Sequence, residues 1–133
     1  MDVPSSFTAR IERLSSAPSQ VRWCNDQRLR EENADGVSPG GFLNRFGWWA
    51  IGTTVGGNAI VVRVDDPAVY FADHCWYSDE FGIHHEDLAG DKSWKEGVLD
   101  AEGIERSLFV LAMSDDDFVA SSDKVDAILD AIG

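Results

Sequence analysis

An α+β fold, a single domain over residues 1–133 with a mainly antiparallel sheet flanked by N- and C-terminal helices, follows from three features of the chain. Strand-like alternation runs through about 46–72 and is broken twice by turn residues. A continuous apolar run at 107–113 supplies a further strand. Both ends of the chain carry apolar residues at helical spacing. At 133 residues and 44% apolar content, the chain is long enough to bury one core without disulfides or structural metal.

Taken in order, Phe7, Ile11 and Leu14 recur at i, i+4 and i+7, which predicts a helix over 7–15 with Ser5 and Ser6 as capping residues. Ser16-Ala17-Pro18-Ser19 stops it. A second helical stretch over 20–32 has a ragged stripe of Val21, Trp23, Cys24 and Leu29. Residues 33–41 hold Gly36, Pro39, Gly40 and Gly41, a loop composition. Over 47–54, Trp48 and Ala50 alternate with Trp49 and Ile51, and 58–64 is rich in β-branched residues. Gly56, Gly57 and Asn58 between them read as a hairpin turn. Asp65-Asp66-Pro67-Ala68 reads as a second turn, with φ of Pro67 fixed by its ring, and 69–72 returns as a third strand. Apolar residues on both faces of this meander require cover on each side.

Periodicity fades over 73–106, where so long a loop without structure is unusual, so short helical turns or a fourth strand are expected. The run 107–113 reads as a buried strand. Ser114 is placed to cap a short helix opening on Asp115, Asp116 and Asp117, where negative charge stabilises the positive end of the helix dipole. Ser122 or Asp123 is placed to cap a last helix with Val125, Ile128, Leu129 and Ile132 on one face.

The net charge of −13 is unevenly distributed. Residues 1–64 carry a net +1 and residues 65–133 a net −14. Such a surface repels phosphate, so nucleic acid and anionic membrane are excluded as partners, whereas a basic protein would be steered in. No stretch reaches the length of a membrane span, and the first residues lack the basic and apolar sections of a secretion signal, so a cytoplasmic protein is expected. Cys24 and Cys75 have no paired spacing and read as free thiols.

No arrangement of residues spells a familiar catalytic motif. Gly56-Gly57 leads from strand to strand rather than into a helix and lacks a lysine, which argues against a phosphate cradle. Asp73, His74, His84, His85, Glu86 and Asp87 include every ligand type for zinc, but their spacing matches no known site. Neither metal nor cofactor is expected, and Asp73 and His74 read as hydrogen-bonding residues at a strand end. Cys75 beside His74 would diverge from it in an extended chain, which argues against a cysteine hydrolase. The interleaved acids and aromatics Asp73, Trp76, Tyr77, Asp79, Glu80, Glu86 and Asp87 suit a contact surface for a basic partner, with core burial the equal alternative for Trp76 and for Phe81.

The segment Gly-Trp-Trp-Ala-Ile-Gly-Thr-Thr-Val-Gly-Gly-Asn-Ala-Ile-Val-Val, followed by Ala-Val-Tyr-Phe-Ala-Asp-His, resembles the central signature of the SMI1/KNR4 family, the SUKH superfamily. Pro39-Gly40-Gly41-Phe42 and the short helix after Ser114 are similar to it as well. The likeness covers about residues 39–76, is looser over 107–133, and lacks the family's Pro-x-x-tyrosine helix and Asn-Gly-Gly exit near the N-terminus. The resemblance implies a non-enzymatic α+β domain. It also implies an immunity protein that neutralises a cognate protein toxin, often a nuclease; the acidic half of the chain makes a basic toxin the expected partner, and a monomer or weak homodimer is expected. A regulatory or scaffolding domain without a toxin partner is the alternative, and a small hydrolase or metal protein the second.

Overall fold

The alternating stretch folds as the expected meander in a computed structural model that describes residues 2–133. The elements are α1 (Ser6–Leu14), β1 (Arg22–Trp23), α2 (Asp26–Glu32), α3 (Gly40–Asn44), β2 (Trp48–Thr53), β3 (Ala59–Arg63) and β4 (Asp66–Ala72). They continue as β5 (Tyr77–Ser78), β6 (Gly82–Glu86), β7 (Trp94–Gly97), α4 (Ala101–Ser107), β8 (Phe109–Ala112), α5 (Asp115–Ala120) and α6 (Ser122–Ile132). A five-stranded antiparallel sheet has the order β1-β2-β3-β4-β8, and β5-β6-β7 form a separate three-stranded sheet. The α+β class is as the sequence predicts.

Both faces of the large sheet are covered, as its apolar pattern demands. Phe7 and Leu14 of α1, Ile51, Ile60 and Phe71 of the sheet, Ile104 of α4, Phe118 of α5 and Leu129 of α6 join one buried cluster. Phe7 meets Trp49 edge to face at 5.6 Å, and Trp48 meets Tyr70 at 5.1 Å. Arg10 of α1 ties the layers together: its guanidinium donates to Asp115 at the start of α5 and to the carbonyls of Arg63 and Asp66 around the β3–β4 turn. The acidic opening of α5 is therefore an anchor as well as a helix-dipole partner.

Several local expectations need correction. The stretch 20–32 is not one helix: Arg22–Trp23 pairs with Gly52 and Thr53 at the sheet edge, and α2 starts only after Asn25, whose side chain accepts from the N–H of Arg28. Inside the predicted loop, Gly40 and Gly41 open α3. A Cβ on either would lie 2.1 Å from the carbonyl oxygen of Glu32 or Ala34, so only glycine lets this helix dock on the exit of α2. Gly57 takes φ +82 in the β2–β3 turn, as expected. Pro67 is not a turn residue: the turn is at Val64 and Asp65, closed by the pairing of Arg63 with Asp66. Pro67 lies in β4 where the ladder is irregular, so its missing N–H leaves no bond unmade.

Ser5 and Ser121 precede α1 and α6 without a side-chain cap, and Ser122 and Asp123 lie inside the first turn of α6, whereas Ser114 caps α5 as predicted. The run 107–113 is a strand only over β8, and as an edge strand it leaves Val110 44% exposed. The segment 73–106 holds three short strands and α4, more order than its fading periodicity announced.

Asn33 is a buried polar side chain with every bond it makes inside the protein. Its amide donates to the carbonyls of Leu29 and Ala50, and its carbonyl accepts from the N–H of Ala50, each at 2.8 Å. The side chain thus extends the ladder beyond the two-residue β1. Asn33→Ala leaves both backbone groups of Ala50 unmet in a buried place, and urea unfolding should show a loss of about 2–4 kcal/mol. A second expectation concerns pH. Burial, with the nearby Glu32, pushes the Cys24 thiol from 9.0 up to about 11; burial and the Asp66 carboxylate push the Tyr70 phenol from 10.0 to about 12. Both folded values exceed the unfolded ones, so this stability is complete below 9.0 and is lost as pH rises through 11 and 12. Urea midpoints should therefore stay level with respect to these groups up to 9.0 and fall beyond it.

Candidate functional site

The three-stranded sheet sorts its residues by the period of two. Ile83 is buried, and its neighbour His84 is exposed. His84 pairs with Glu96 and Glu86 with Trp94, so these four side chains share the outer face. The His84 and Trp94 rings lie 4.9 Å apart between centroids. Phe81, at the β5–β6 turn, and Val98, just after β7, border the same surface. Phe81 is 78% exposed, Trp94 57% and Val98 70%. With Ile83, His84, Glu96 and Gly97, Phe81 and Val98 line a shallow open concavity of about 510 Å³. Three large apolar side chains gathered on one face are more than the scattered exposure any surface shows.

The other side of this sheet faces inward. Trp76 and Tyr77 are 3% and 5% exposed. The Tyr77 hydroxyl bonds the Ser107 hydroxyl at 2.7 Å, and burial raises its phenol well above the ordinary value. Trp76 packs edge to face on Phe71 and His85. The expected contact role of Trp76 and Tyr77 is thus corrected: both are core residues that fasten the small sheet to the domain. Phe81 took the opposite course and is exposed.

The predicted acidic residues divide. Asp79 lies 2.7 Å from Arg45, whose guanidinium holds its carboxyl below the usual range. It is therefore charge-paired already. Glu80 is exposed beside Phe81 with no ion pair among the described residues, and Glu86 is half-buried beside Trp94. Asp87 accepts from the N–H of Gly90 and shapes the β6–β7 turn. Glu96, His84, Trp94 and Val98 of this face are not among the contact residues to which the sequence points. Alternation at His84 and His85 is the signal that points to this face, since Trp94-Lys95-Glu96-Gly97 has a single large apolar residue.

Asp73, His74 and Cys75 depart from expectation in geometry. They form a turn after β4 rather than its extended end, and the N–H of Trp76 donates to the carbonyl of Asp73. The Cys75 thiol therefore meets the His74 ring, with Sγ and Nε2 3.3 Å apart, instead of diverging. Asn58, buried at the β2–β3 turn, holds the His74 backbone and ring at once. Cys24 and Cys75 are free, as predicted. No helix among the described residues is long and apolar enough to cross a membrane.

No family model matches the sequence, and neither a curated protein nor a solved structure was found to match it.

The division of aromatics can be checked directly. Trp94→Ala and Phe81→Ala should each change unfolding free energy by no more than about 0.5 kcal/mol. Trp76→Ala should cost about 3–5 kcal/mol, read from the same urea curves.

Proposed function

We propose that the chain is a protein-binding domain of the SMI1/KNR4 kind that neutralises a basic protein toxin of nuclease type by direct contact. The observation that carries this reading is the exposed group of Phe81, Trp94 and Val98, bordered by Glu80, Glu86 and Glu96. It lies within a half-chain of net charge −14. An aromatic centre with an acidic rim matches the anatomy of a protein interface whose partner is basic. The acid draws the partner in over a range set by salt, and the desolvated aromatics hold it. A nuclease offers the required counterpart, since its substrate channel must be basic to hold phosphates. The likeness at residues 39–76 points the same way.

The test begins with a tagged pull-down from the native source and ends with purified components. Trp94→Ala should weaken the captured complex by about 2 kcal/mol or more, roughly 30-fold in Kd, mostly through faster dissociation. Glu80→Lys with Glu96→Lys should slow association and flatten its salt dependence. Unchanged binding in all these variants would remove this face from the interface. A partner without toxic activity would favour the scaffolding alternative.

A further inference from the structure

The turn that links the two sheets assembles three different donor atoms. Cys75 Sγ, a ring nitrogen of His74 and an Asp73 carboxylate oxygen lie within 4.8 Å of one another, with Sγ 3.3 Å from Nε2 and Asp73 Oδ1 3.7 Å from Nδ1. The imidazole tautomer follows from its surroundings. The His74 backbone N–H donates to Asn58 Oδ1 at 3.0 Å, which identifies that atom as the acceptor oxygen. The same Oδ1 lies 2.8 Å from His74 Nδ1, so Nδ1 must carry the proton. Nε2 is left with its lone pair, turned toward the Cys75 sulfur.

This is the arrangement a metal-ligating histidine adopts, its second nitrogen donating to a carbonyl that orients the ring. A tetrahedral zinc with its usual bond lengths holds its nitrogen and sulfur ligands about 3.5 Å apart. The observed separation of Sγ and Nε2 is 3.3 Å, so little rearrangement is needed. The turn itself is braced: Asp73 Oδ1 accepts from the Cys75 N–H at 2.8 Å, and Ser38 donates to the His74 carbonyl. His74 and Cys75 are exposed, which gives an ion access and leaves room for water at the remaining coordination position.

The geometry points to a binding site for a thiophilic divalent cation of the zinc class, held by Cys75 Sγ, His74 Nε2 and the Asp73 carboxylate. Sulfur and imidazole select such an ion over magnesium or calcium, which require oxygen. Binding releases the thiol proton of Cys75 to solvent and forms one metal–sulfur bond, with no change of oxidation state.

The probe is cobalt(II), titrated into the reduced full chain and followed by absorption. A thiolate-to-cobalt charge-transfer band should saturate at one equivalent and be displaced by zinc. Cys75→Ser should abolish the band, and His74→Gln should weaken binding by about tenfold or more. Both side chains are exposed, so circular dichroism should show both variants folded. Absence of the band, its persistence in Cys75→Ser, or unaltered affinity in His74→Gln would overturn the site.

Discussion

The carboxamide of Asn33 is the contact on which the arrangement of this domain turns. β1 spans only Arg22–Trp23, and beyond it the edge of β2 would expose backbone groups inside the protein. Asn33 meets both groups of Ala50 with one side chain, and it does so from the end of α2. A peptide-like amide thus stands in for the missing strand. The same contact fixes where α2 ends, which sets where α3 docks through the Cβ-free faces of Gly40 and Gly41. Were Asn33 an apolar residue, the helix would pack against a strand edge whose hydrogen bonds were lost on folding.

The small sheet shows how one short segment can serve both core and surface. Trp76 and Tyr77 fasten it inward, the tryptophan by ring contacts with Phe71 and the tyrosine by its hydroxyl bond to Ser107 of α4. With the inner side committed, the strand period sends His84, Trp94 and Glu96 outward. Burial of the first group makes exposure of the second possible at little cost, because the sheet is held without the outer residues. A face that contributes little to folding is free to serve binding.

Asn58 couples two turns that are distant in sequence. Its backbone closes the β2–β3 turn with Thr54, its side-chain amide donates to the Gly133 carbonyl, and its side-chain carbonyl receives the backbone and ring of His74. Side chains at consecutive positions converge here because the chain bends, where an extended strand would have sent them apart. The acidic character of the C-terminal half acts at a different level: it shapes the field a partner meets, while individual carboxylates are spent locally, Asp79 on Arg45 and Asp115 on Arg10.

The α+β class, the three-stranded meander and the amphipathic ends were determined by the sequence alone, because alternation and helical spacing are local and survive any packing. So was the cap at Ser114, and so was the charge asymmetry. The strand at Arg22–Trp23, the helix at Gly40–Asn44 and the displacement of Pro67 from its turn were decided by tertiary structure, since each depends on a neighbour far along the chain. The proposed contact face is legible in part: Glu80 and Glu86 stand among the acids that composition singles out, but composition cannot say that Trp76 turns inward while Trp94 turns outward. That choice rests on strand register and on which ring finds Phe71, and register exists only once the strands have paired.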